Sequence, residues 1–244
     1  MTVKPINDRR FQFKVVRVFQ VSIFLIIFGS TLVASAQVPP TARKKSQYTG
    51  LLEAADRGDS QLIAELIAAG EDPNVRDTYR RTPLHVAAFA GHHNAMQVLV
   101  KGGADPNALE KDRYDIVTIA AVADDLQTLE VSLALGCSAM NVTSRYDGTA
   151  LIAASHLGHA DVVRVLIQAG APLDHVNNLG WTAVIESIVL GDGGKGHTET
   201  LRLLVEAGAN IDLPDRNGRT PLSLARARNY TSMARLLENA GARE

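Results

Sequence analysis

Short apolar blocks alternate with polar turns from about residue 48 onward, and the blocks come in pairs. In the clearest pair, Leu84, Ala87 and Ala88 fall on one face of a 3.6-residue helix. Met96, Val98, Leu99 and Val100 supply the apolar surface of a second. The first helix has a start signal: Thr82 can cap it with its hydroxyl, and Pro83 fits the first helical position, where a missing N–H costs nothing. Gly91 can take the left-handed conformation that stops it. The second helix is predicted over residues 94–100 and ends at Gly102-Gly103, after which Asp105-Pro106-Asn107 turns the chain outward. Small residues at 87 and 88 let the two helices approach closely.

This pair recurs. Thr49, Thr82, Asp115, Thr149, Thr182 and Thr220 are separated by 33, 33, 34, 33 and 38 residues. The glycines that close each second helix, Gly70, Gly103, Gly136, Gly170, Gly208 and Gly241, are separated by 33, 33, 34, 38 and 33. Two unrelated landmarks with one period predict a helix-pair solenoid, all-α, with β-turn tips between units. The 38 falls in different intervals because an insertion, about Asp192 to Gly196, lies between the fifth threonine and the fifth closing glycine. Six units are predicted, near 48–76, 77–109, 110–142, 143–176, 177–213 and 214–244. The third departs most. Asp115-Ile116-Val117-Thr118 and Asp124-Asp125 stand where the second unit has Thr82-Pro83-Leu84-His85 and Gly91-His92, a change that touches the tie between loops rather than the helix pair.

Thr82-Pro83-Leu84-His85, Gly91-His92 and Gly103-Ala104-Asp105-Pro106-Asn107, with their worn copies, resemble the ankyrin repeat across residues 48–244. The resemblance implies a binding scaffold rather than an enzyme. It also implies that His85 is a hydrogen-bond tie between neighbouring loops, and His92 and His159 read the same way. Residues 177–182 and 190–194 are similar to a bacterial subgroup of exported ankyrin proteins. That similarity implies a non-enzymatic periplasmic role, including support of a stress-related exported enzyme, although no motif in the chain encodes that link.

The first 47 residues stand outside the period. Lys4, Arg9, Arg10, Lys14 and Arg17 precede a largely apolar run from Val18 to Val33, which ends at Ala34-Ser35-Ala36. A basic region, an apolar core and a small-x-small site describe a secretory signal peptide over 1–36, cleaved between Ala36 and Gln37. The rival is an uncleaved anchor, since residues 18–36 are long enough to cross a bilayer. Residues 37–47, with two prolines and a cluster of bases, read as a solvated linker. The expected location is therefore periplasmic or secreted, or the inner membrane if the segment is retained.

Composition adds limits. The formal net charge of -1 becomes about -5 once cleavage removes five bases and one acid, which points away from nucleic acid. The single Cys137 rules out an intrachain disulfide and stands where Ala104 stands one unit earlier, so it reads as a small buried residue. No zinc spacing and no nucleophile elbow is present, and Gly191 to Gly196 lacks the Ser or Thr that follows a P-loop lysine. No cofactor, metal or catalytic residue is expected. An enzyme using His156, His175 or the glycine segment, and an envelope-anchored structural protein, are the competing functions.

Candidate binding residues sit just before each threonine. Tyr79, Arg80, Arg81, Arg113, Tyr114, Arg145, Tyr146, Trp181 and Arg219 put aromatic rings and guanidinium groups on the turn tips, which stacking would align beside the concave face. These residue types dominate interface energetics, so a protein partner, its identity and the chain's oligomeric state left open, is expected there. The competing reading is solvated turns with a few aromatics packed on neighbouring turns.

Overall fold

The computed structural model describes residues 39–244; the predicted signal segment and the Ala36–Gln37 junction lie outside them. Among the described residues there are thirteen helices and no strand, with one isolated bridge between Thr143 and Gly148. A short helix, α1 (Ala42–Lys45), falls inside the stretch read as linker. Tyr48, next to it, is buried and donates its hydroxyl to Asp77 at 2.9 Å, which docks this segment on the array.

Six helix pairs follow: α2 (Gly50–Arg57) with α3 (Ser60–Ala68), α4 (Pro83–Phe89) with α5 (His93–Lys101), and α6 (Ile116–Ala123) with α7 (Leu126–Ala134). The others are α8 (Ala150–Leu157) with α9 (Ala160–Gln168), α10 (Ala183–Val189) with α11 (Lys195–Glu206), and α12 (Pro221–Ala227) with α13 (Thr231–Asn239). First helices pack on first helices and second on second down the array. Thr82, Asp115, Thr149, Thr182 and Thr220 each cap a first helix with a side-chain oxygen, as the register requires; Thr49 makes no such bond. Two residues on, Leu51, Leu84, Val117, Leu151, Val184 and Leu222 are all buried and form the core's repeating layer.

Histidines tie the units. His85 Nδ1 faces the Thr82 N–H at 3.2 Å and must accept, so Nε2 carries the proton and donates to the Tyr114 carbonyl at 3.2 Å. At the loop joining the two helices of a pair, His92, His159 and His197 reach back to the carbonyls of Asp56, Ala121 and His156, and Tyr230 donates to that of Gly191. In the third unit Thr118 and Thr143 hydroxyls meet at 3.0 Å, so a tie survives in place of the histidine.

Burial pushes the His85 imidazole down to about 4, against the opposing effect of its bond to Tyr114. The unfolded chain takes up this proton near its ordinary value of 6.5, well before the folded chain does. Stability present above that value is therefore lost as pH falls toward 4, by roughly 3 kcal/mol. Denaturation midpoints measured across this window should show the fall in the wild type and a shallower one in His85→Gln. Equal slopes would show that His85 is not its source.

The insertion lies between Gly191 and His197. Removing residues 192–196 would leave Gly191 followed by His197, as Gly91 is followed by His92 and Gly158 by His159. The buried Thr200, Leu201 and Leu204 would then fall where Ala95, Met96 and Leu99 fall. Although rich in glycine, the segment is not a free loop. Asp192 accepts from Gly194 N and pairs with His197, Gly193 lies against the Tyr230 ring, and Lys195 and Gly196 extend α11 by part of a turn. A 192–196 deletion should still keep its helical circular dichroism, because Gly191 can adopt the left-handed conformation of Gly91 and Gly158. Loss of the helical signal would show that the insertion is structural.

Candidate interaction surface

The tips share one construction. Asp77, Glu110, Asn177 and Asp215 each accept, through one side-chain oxygen, the N–H groups two and four residues on, and Ser144 accepts the first of these. The residue three positions on, namely Arg80, Arg113, Asp147, Gly180 or Gly218, is left-handed in every case, with φ between 51° and 83°. This bend decides which neighbour faces out. Adjacent tips are joined by backbone bonds, Lys111 N to Tyr79 O at 2.9 Å, Ser144 N to Arg113 O at 3.0 Å and Asn178 N to Tyr146 O at 2.8 Å, so the tips form one row.

Tyr79 is 43% exposed, its ring covered by the Arg81 guanidinium at 4.8 Å and by Lys111 at 5.3 Å. Arg80 is exposed beside it. Arg113 reaches forward to Asp147 and Arg145 back to Asp112, so both pairs join the same two tips, from arginine side chains about half in solvent. Tyr146 is half-buried. Trp181 is also half-buried and packs against the core. Arg219 is exposed and paired with the buried Asp215.

Two candidates are corrected by the structure. Arg81, 2% exposed, folds back on Asp77 in a buried ion pair at 2.9 Å, and Tyr114 is buried beneath the third tip. Each occupies the position just before the capping residue and turns toward the helices there, whereas Trp181 at the same position is half-buried and Arg219 is exposed. The sequence signal was available for Arg81: Asp77 with Arg81, and Asp215 with Arg219, repeat an acid and a base four apart at the same distance before the threonine.

Cys137 is buried and its thiol is pushed up to about 12 by burial, so it is a weak nucleophile. Among the described residues no group of three His, Cys, Asp or Glu side chains gathers in a way that could hold a metal, and no helix is long and apolar enough to cross a membrane. His175 Nε2 is taken by the Asp147 carbonyl at 2.6 Å, and His156 stands beside Glu186, a buried acid that sequence reasoning missed.

Comparison with known proteins agrees with this construction. Residues 32–112 and 51–131 match the description "Ankyrin repeats (3 copies)", residues 146–178 "Ankyrin repeat", and residues 188–238 "Ankyrin repeats (many copies)". An ankyrin repeat domain from Acinetobacter baumannii AYE is 40% identical, with a TM-score of 0.74 over 79% of this chain and 98% of that one. The chain belongs to the ankyrin repeat family. Its sequence is also 34% identical over 120 residues to YahD, an ankyrin repeat protein of Escherichia coli (strain K12), a match covering 49% of this chain and 59% of that relative's length. The ankyrin repeat domain of Bcl-3, a member of the IkappaB protein family, is 25% identical, with a TM-score of 0.72 over 81% of this chain and 88% of that one. Ankyrin repeats of this kind are interaction modules, and the array is a scaffold for protein–protein contact.

Proposed function

We propose that the chain is a non-enzymatic scaffold, exported to the bacterial periplasm, whose tip row docks a protein partner such as a stress-related exported enzyme. The observation that carries the reading is the row itself. Five turns of related construction, the first four tied by backbone bonds and the last by the Arg216 side chain on the Asn178 carbonyl, present Tyr79, Arg80, Arg113, Arg145 and Arg219 along one edge. A rigid edge loses little entropy on binding, and Tyr and Arg are effective anchors. Export is supported by the basic, apolar and Ala34-Ser35-Ala36 succession, and membrane contact is confined to residues 18–36 if they are retained. A mature terminus at Gln37 is expected from mass spectrometry of the exported protein, and Met1 retained in a membrane fraction would favour the anchored alternative.

Capture from a periplasmic extract tests the surface. Alanine at Tyr79 or Arg80 should weaken partner capture by about tenfold or more while stability stays within about 0.5 kcal/mol. Gln97 and Arg164, exposed on the second helices, serve as controls. Capture lost at Gln97 and Arg164 but kept in the tip variants would move the interface to the outer helices.

A further inference from the structure

Glu186 breaks the pattern of the first helices. Its register position holds Val86, Ile119, Ala153 and Leu224 in the four other units that keep a full tip. Only 3% of the residue is exposed. Oε1 accepts from Asn177 Nδ2 at 2.8 Å, while Oε2 is shielded from solvent and has no hydrogen-bond partner in the protein. His156 Nδ1 stands 3.6 Å from Oε2, beyond hydrogen-bonding distance, on a side chain that is 44% exposed.

Asn177 is the turn residue of the fifth tip, and its Oδ1 accepts the N–H groups of Leu179 and Trp181 at 3.0 Å each. In the second and sixth tips the turn residue is an aspartate held by an arginine. In the fifth, Trp181 takes the arginine's place and Glu186 holds the turn amide instead. A continuous chain of hydrogen bonds therefore links Glu186, Asn177 and the Trp181 backbone.

We propose that Glu186 is a proton switch for the fifth tip: protonated, it stays docked on Asn177 and fixes the Trp181 turn; ionised, it swings toward water and releases that turn. This rests on the tip row being the docking edge and adds a regulation of it. A buried carboxylate with one oxygen facing neither water nor a donor is strongly disfavoured. Burial pushes the Glu186 carboxyl up to about 7, only partly opposed by the Asn177 amide. The neighbouring elements do not neutralise it. From α8 only His156 faces it, an imidazole held down by burial and by nearby His197. From α11, His197 is engaged by Asp192 and by the His156 carbonyl. From α12, Arg226 pairs with Glu238 and Glu244, and Arg228 just beyond donates to the Val189 carbonyl. The partly exposed His156 marks the side from which water can reach the carboxylate.

Trp181 is the chain's single tryptophan, so its emission reports the turn directly. Titrating the whole protein from about pH 5.5 to about pH 8.5 should shift that emission with a midpoint of about 7, at constant far-ultraviolet circular dichroism. Glu186→Gln keeps an acceptor for Asn177 but cannot ionise, and its trace should be flat. His156→Gln should keep the transition near the same midpoint, because burial and His197 hold the imidazole neutral there and it lends the carboxylate no charge. A flat wild-type trace, a transition that persists in Glu186→Gln, or one lost in His156→Gln would overturn the switch. Partner capture by the tip variants decides the docking edge separately, so either idea can fail alone.

Discussion

Arg81→Ala is expected to cost about 3–5 kcal/mol of folding stability, while Arg80→Ala next to it costs no more than about 0.5 kcal/mol. Both arginines sit on the same exposed-looking tip, and the left-handed turn at Arg80, φ 58°, separates their fates. Arg81 donates to Asp77 Oδ2 through Nε at 3.0 Å and through its second nitrogen at 2.9 Å, with the two side chains 3% and 0% exposed. Burial alone would raise the Asp77 carboxyl. The Arg81 backbone and guanidinium and the Tyr48 hydroxyl hold it below the ordinary carboxylate value, so it is ionised and depends on its cation. Truncating Arg81 leaves that charge buried and also loosens Tyr48, which bridges the first unit to the second tip. Arg219 makes the equivalent pair with Asp215 from a side chain 51% exposed, so its removal should cost about 1 kcal/mol or less. Urea midpoints at unchanged slope measure all three. The Asp77→Asn, Arg81→Ala double variant should recover part of the loss, since an amide keeps the turn acceptor without a charge, as Asn177 does in the fifth tip. If Arg81→Ala melted with Arg80→Ala, the ion pair would be irrelevant to stability.

The same contrast shows what could and could not be read from the sequence. The register was legible because it rests on local chemistry: a capping oxygen, a proline at the first position, a glycine at the end. The insertion was legible because two landmarks shift in different intervals. The His85 tie followed from family resemblance, and its geometry fixes the tautomer. What stayed hidden is the direction of a side chain across a tight turn. Arg80 and Arg81 are identical in type, and only the backbone conformation between them sends one out and one in. Tyr114 was misread for the same reason. Glu186 was hidden differently. An acid at this register reads as a solvent-facing exception, as the partly exposed Glu53 of the first unit is, and the burial of Glu186 depends on His156 from the preceding unit and Asn177 from the tip, two contacts that no local pattern announces.

Leu151→Ala is the second large effect, about 2–5 kcal/mol. Leu151 is fully buried two residues after the Thr149 cap, in the layer formed by Leu84, Val117, Val184 and Leu222. Its helix α8 packs on α6 before it and on α10 after it, so the truncation opens a void felt at two unit interfaces. In a repeat array stability is a sum of unit and nearest-neighbour contributions, and an interior defect weakens both junctions. Leu222→Ala, in the last unit, weakens one and should fall at the low end of the range. Leu151→Met, which nearly conserves volume, should cost less than about 1.5 kcal/mol. Denaturant midpoints at constant slope separate the three. Hydrogen exchange should show the Leu151→Ala loss concentrated in units four and five, and in the third where it meets them, with the first unit least affected. A Leu151→Ala protein as stable as the wild type would mean that the fourth unit is out of register, and that the cap at Thr149 does not set the layer to which Leu151 is assigned.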